Sequence, residues 1–276
     1  MSNARTSRIG TVEIRVKQVY SAARESEDRA KGAKMNRKLV MVLLAGLVAT
    51  VMTGCTGSKR LGGQQQKLGN GSAWSWTEHD VAGNILRLGV TMTQSALSGL
   101  PSSYEQVELP LPEGSGVSPY ETVVVGWDPL GHAPATYSVP HFDFQFYFVG
   151  SVELGQVSPG SDTVPVPARF RPPDYNAALA EPSVGTHWGD TLAEEFHGKP
   201  FTATFVYGFQ NGEMTFLEPM VALSFLDKEP SFSGVVKQPP AVEREGYYPS
   251  RYTIEYNPKD STVTVALEGL TLRKVQ

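Results

Sequence analysis

The stretch VPHFDFQFYFVG, residues 139–150, places Phe142, Phe144, Phe146 and Phe148 at alternate positions. Alternation with period two is the mark of an extended strand with one apolar face. The four phenylalanines therefore share one face, and His141, Asp143 and Gln145 share the other. Such a second face is either half solvated, as is usual for an antiparallel strand, or part of a site.

Further strand signals lie on both sides. Residues 84–92 (NILRLGVTM) and 120–127 (YETVVVGW) are rich in β-branched and aromatic residues. Residues 201–209 (FTATFVYGF) and 213–226 (EMTFLEPMVALSFL) flank Gln210-Asn211-Gly212, and Asn-Gly between apolar runs predicts a tight hairpin. RYTIEYN and STVTVALEGL flank Pro258-Lys259-Asp260 and predict a second hairpin. Helix signals are few: 191–198 (TLAEEFHG), stopped by Gly198, and 174–180 (DYNAALA). Seven to ten strands with proline-rich connections predict an all-β domain over 74–276, a single antiparallel sandwich or cupin-like barrel with one or two short helices. Residues 155–190 hold six prolines and read as a long connection.

The N-terminal part is different. Residues 1–55 carry ten Lys/Arg and four Asp/Glu, a net +6, whereas the remainder is acidic at −10. No Lys/Arg cluster follows Arg60, so nucleic acid is not an expected partner. From Met35, Arg37 and Lys38 precede a fourteen-residue apolar run, Leu39 to Met52, which is too short to span a bilayer comfortably but suits a signal peptide. Thr53-Gly54-Cys55 then resembles the lipobox of bacterial lipoproteins, with Met52 where leucine is commoner. A thiol left within a transmembrane anchor is the alternative. Cys55 is the single cysteine in the chain, so the mature domain is expected to lack disulfides and thiolate metal ligands. Residues 35–55 are thus read as a lipoprotein signal peptide with lipidation at Cys55. Residues 1–34 are read as a non-native extension, and 56–73 as a flexible polar tether. The expected location is the cell envelope, on the periplasmic or outer-surface side of a bacterial membrane.

Two side chains at i and i+2 on a strand, roughly 6–7 Å apart at the backbone, can bend towards one ion. His141 and Asp143 have that spacing, with Gln145 next along. Further ligands must come from elsewhere in the chain: His132 from WDPLGHAP, His187 from GTHWGD, and Glu218 from the otherwise apolar TFLEPMVAL. A carboxylate inside an apolar strand needs a partner, because burying it alone is costly. Pro219 beside it predicts a bulge or a sheet edge. Imidazole and carboxylate suit a divalent metal such as Zn, Mn, Fe(II) or Cu(II). His79 and His197 read as surface residues. The pairs Trp74/Trp76 and Tyr247/Tyr248 read as packing in preference to sugar platforms. No G-x-S-x-G, phosphate loop or HExxH occurs.

These segments, WDPLGHAPATYSVPHFDFQFYFV, GTHWGD and FTATFVYGFQNGEMTFLEPMVAL in that order, resemble a bacterial family of exported lipoprotein domains of unknown function. Its signature is Gly-His-x-Pro, then Pro-His-Phe-Asp-Phe-x-Phe-Tyr, then His-Trp-x-Asp, then a hairpin ending in Glu-Pro-Met. The likeness covers roughly residues 84–270. It implies a β-rich fold and ring-like self-assembly, and brings no known reaction. The family's recurring polar positions fall on His132, His141, Asp143, His187 and Glu218; where Gln145 stands here, the family often has histidine, and glutamine is a weak neutral ligand. Two functions follow as expectations. One is a metal site (Zn, Mn or Fe) or small-ligand site of His132, His141, His187, Glu218, Asp143 and Gln145. The other is a non-catalytic, homo-oligomeric assembly or binding module in which the polar cluster is structural.

Overall fold

The computed structural model describes residues 57–150, 164–181 and 185–276. The expected signal peptide at 35–55, with Cys55, and the expected extension 1–34 lie outside the described residues. The strands in chain order are β1 (Lys59–Gly62), β2 (Gln66–Leu68), β3 (Gly71–His79), β4 (Ile85–Thr93), β5 (Glu105–Pro110), β6 (Thr122–Asp128), β7 (His141–Tyr147) and β8 (Tyr175–Glu181). They continue with β9 (Gly185–Asp190), β10 (Ala203–Gln210), β11 (Glu213–Ala222), β12 (Ser231–Val235), β13 (Gly246–Tyr248), β14 (Arg251–Asn257), β15 (Thr262–Glu268) and β16 (Thr271–Arg273).

Two antiparallel sheets result. The first runs β1-β3-β4-β15-β14-β12, with β2 also pairing β3, and the second runs β5-β6-β7-β11-β10-β9-β8. Strands β13 and β16 form a separate two-stranded ribbon. Leu88, Val90, Val265 and Ile254 of the first sheet share one buried cluster with Val125, Phe144, Tyr207 and Leu217 of the second. The fold is therefore a β sandwich, and no closed barrel forms among the described residues.

The Phe stripe lies in that core. Phe142, Phe144 and Phe146 are fully buried, and Phe148, just past the end of β7, packs edge-on against Tyr120 at 5.2 Å. Burial of such a ring contributes about 1.5–3 kcal/mol. Both expected hairpins form. Asn211 (φ +49°) and Gly212 (φ +85°) supply the two left-handed residues that join β10 to β11. In the other, Asn257 faces Thr262 across the turn between β14 and β15.

Several expectations are corrected. Residues 175–181 form β8, an edge strand paired with β9, where DYNAALA reads as a helix; pairing at the sheet edge outweighs the local preference of alanine and leucine. Residues 59–62 and 66–68, inside the expected tether, pair with β3. The chain thus joins the first sheet well before Trp74. Pro219 sits opposite Phe205 in β11, an interior strand, so it marks neither a bulge nor an edge. The apolar run after β11 turns into one helical turn, α1 (Leu223–Leu226). The turn expected at 191–198 is a 3-10 turn over Glu194–His197, closed by Gly198 at φ +88°. Trp76 and Tyr248 are buried, in keeping with packing roles.

At the end of β12, Lys237 reaches across to the second sheet. Its Nζ lies 3.0 Å from Asp174 and 2.8 Å from Asp190, while its carbonyl accepts a hydrogen bond from Tyr207 at 2.8 Å. Asp174 and Asp190 flank β8 and end β9, so this contact fastens the outer strands of the second sheet to the first.

Candidate metal centre

The outer face of the second sheet is not wet. His141 is fully buried, and Asp143, Gln145 and Glu218 are 5%, 3% and 0% exposed. The loop after β6 and the loop before β10 cover them: Tyr137 and Phe201 pack there against Val206, Met220 and Ala222. The ring of Phe201 stands 5.8 Å from that of His141.

Strand register then sets which polar groups meet. Gly126 and Met220 flank Asp143, and Asp128 and Ala222 flank His141. Phe216 faces Tyr147 and Met220 faces Asp143, which brings Glu218 beside Gln145. His187 lies two strands beyond Glu218, in β9, opposite Gly208 of the intervening β10. His132 arrives from the covering loop, which Asp128 starts by accepting hydrogen bonds from the backbone N–H groups of Leu130 and Gly131. The His132 ring lies 5.0 Å from that of His141 and 6.2 Å from that of His187.

Six expected residues therefore converge, in two groups. In the first, His132, His141 and Asp143 each present a ligand atom, all within 4.8 Å of one another. This group could hold a metal ion. The carbonyl of Val139 lies 2.7 Å from His141 Nδ1, and that of Ala133 lies 2.8 Å from His132 Nδ1. A carbonyl only accepts, so each Nδ1 carries the hydrogen and each Nε2 keeps a lone pair when the ring is neutral. His141 Nε2 and Asp143 Oδ1 are 3.3 Å apart and form an ion pair when the imidazole is protonated. Burial opposes a charge on His141, but the adjoining Asp143 carboxylate and the Val139 carbonyl prevail and hold its pKa up at about 9.

In the second group, His187 Nε2 lies 3.2 Å from Glu218 Oε2. Gln145 donates to Glu218 Oε1 at 3.2 Å and accepts from the Tyr147 hydroxyl at 3.0 Å. Both polar atoms of Gln145 are thereby engaged, so it braces Glu218 and does not face the three-residue group. Burial pushes the Glu218 carboxyl up, His187 pulls it down, and Asp143 adds to the rise. The hydroxyl of Tyr147 continues the alternation by one step beyond Gln145 and was legible in that pattern. Tyr137 and Phe201, which roof the face, carry no such signal.

A cavity of about 480 Å³ opens beside these groups, with His132 and His187 in its wall.

Residues 80–127 match the TTHB210-like family model, described as that of a hypothetical protein. The matched stretch covers β4 to β6 and stops before His132, so the likeness bears on strands of the sandwich and on none of the polar cluster. No curated protein and no solved structure matches the chain. No helix among the described residues is long and apolar enough to cross a membrane.

Proposed function

We propose that this is a lipid-anchored protein of the bacterial cell envelope whose sandwich binds one divalent metal ion between His132, His141 and Asp143. The observation that carries the metal reading is the convergence of His132, His141 and Asp143, from a loop and one strand, with a ligand atom of each within 4.8 Å of the others and with His141 and Asp143 buried. In the metal-free protein His141 and Asp143 pair with each other; a cation would take the place of the proton between them.

Two imidazoles and a carboxylate suit Zn, Mn or Fe(II). Three protein ligands leave positions open for water or another ligand, and an ion there would supply Lewis acidity or activate a bound water. The Glu218–His187 pair lies beside this group, the His187 ring 6.2 Å from that of His132, and would serve as a proton acceptor. The anchor rests on Cys55 following the apolar run from Leu39 to Met52.

Metal is tested on untagged protein, stripped with chelator and equilibrated with Zn(II), Mn(II) or anaerobic Fe(II). One ion per chain is expected in the wild type, and a substoichiometric amount in His141→Ala. A wild type that retains no stoichiometric ion overturns the metal reading. For the anchor, intact mass spectrometry of detergent-extracted protein should show acyl chains on Cys55 that Cys55→Ser lacks.

A further inference from the structure

We infer that the cavity beside the metal group binds a small molecule with an apolar body and one oxygen-bearing, metal-coordinating end. This rests on the metal reading above. The cavity wall is apolar for most of its extent, with Tyr137, Phe196, Val206 and Met220 contributing, while two imidazoles, His132 and His187, stand on it. At about 30 Å³ per non-hydrogen group, a volume of about 480 Å³ takes at most roughly 16 such groups.

Gly189 points to a built site. It lies in β9 two residues after His187, on the same face, and pairs with Val206, which also lines the cavity. A glycine inside a strand weakens it and commonly marks a bulge, or a place where another backbone or a ligand comes close. Gly189 has no positive φ, and no register shift occurs at its pairing with β10. A Cβ built there would meet one atom, the Tyr137 hydroxyl, at 4.0 Å. No protein backbone fills the space in front of it. The missing side chain is what leaves the cavity open next to His187.

The lining residues differ in exposure: Asn176 and Thr191 are exposed, and His187 is buried. His132, which belongs to the metal group, is also on the wall. A ligand with an apolar chain and a terminal carboxylate, hydroxamate or enolate would suit this lining, its oxygen end towards His132 and its chain along Val206 and Met220.

The test uses metal-loaded full-length protein and two probes sharing one head group, acetohydroxamate and octanohydroxamate, titrated by calorimetry. The longer probe is expected to bind at least about tenfold more tightly, from burial of its added methylenes. Gly189→Phe should keep its metal and its affinity for acetohydroxamate, and lose the preference for the longer probe. Gly189→Ala, whose methyl has room, should behave as wild type. Equal affinity for the two probes in metal-loaded wild type overturns the inference and leaves the metal reading standing. Absence of metal in the wild type overturns both. Should Gly189→Phe lose its near-ultraviolet dichroism, the chain-length comparison in wild type decides alone.

Discussion

The ring of Phe216 occupies the space that a side chain at Gly208 would need: a Cβ built on Gly208 collides with the Phe216 ring carbons. The two residues face each other across β10 and β11, and the same ring stands 5.3 Å from His187. Gly208 thus lets an aromatic ring lie over the strand and buttress the imidazole. Gly208→Ala should destabilise the protein by about 1–3 kcal/mol through overpacking. Urea denaturation measures this, and an unchanged midpoint would show that Phe216 repacks freely.

Removing a ligand should separate binding from folding. Asp143→Asn keeps the shape of the side chain but removes its charge. Its affinity for Zn(II) should fall at least about 100-fold, the upper end of what losing a ligand's supporting partner costs. Competition with a chromophoric chelator reads the change, and far-ultraviolet dichroism confirms that the sandwich is retained.

The metal-free protein should lose stability as pH rises. The folded pKa of His141 is about 9 against an ordinary value of 6.5, so the folded state holds this proton more tightly than the unfolded chain. The resulting stabilisation is complete below about pH 6.5 and is lost as pH climbs through about 9. The raised carboxyl of Glu218 acts in the same direction, beginning from its ordinary value of 4.5. Urea midpoints from pH 6 to 9.5 should therefore decline in stripped wild type and decline less in His141→Ala. A bound ion takes the place of the proton on His141, so saturating Zn(II) should flatten the slope.

The core side of β7 offers a control on the face opposite the polar groups. Phe144 is fully buried between the sheets. Phe144→Ala should cost about 3–5 kcal/mol, whether or not metal is present, and chemical denaturation of both forms compares the two.

The period-two run through β7 foretold both which rings enter the core and which polar groups gather outside it, because side-chain alternation is fixed by strand geometry. The Asn211-Gly212 turn was equally legible, since few residue pairs accept its backbone angles. The convergence of His132, His187 and Glu218 on that face followed from chemical oddity: each is a polar group in an unexpected setting. What the pattern could not say was that the face is roofed. Tyr137 and Phe201 come from loops, where no periodicity reports direction. The short edge strands β1 and β2 read as linker because they are polar and glycine-rich, and β8 read as helix because an alanine-rich edge takes its form from its neighbour. The division of the six polar residues into a three-residue ligand group and a braced Glu218–His187 pair depends on side-chain angles that spacing does not encode.

Lys237 bridges Asp174 and Asp190 on a partly open surface. Ions in solution screen such contacts, whereas apolar packing between the sheets is indifferent to them. The outlying margin formed by β8 and β9 should therefore loosen with ionic strength while the interior of the sandwich stays as it was.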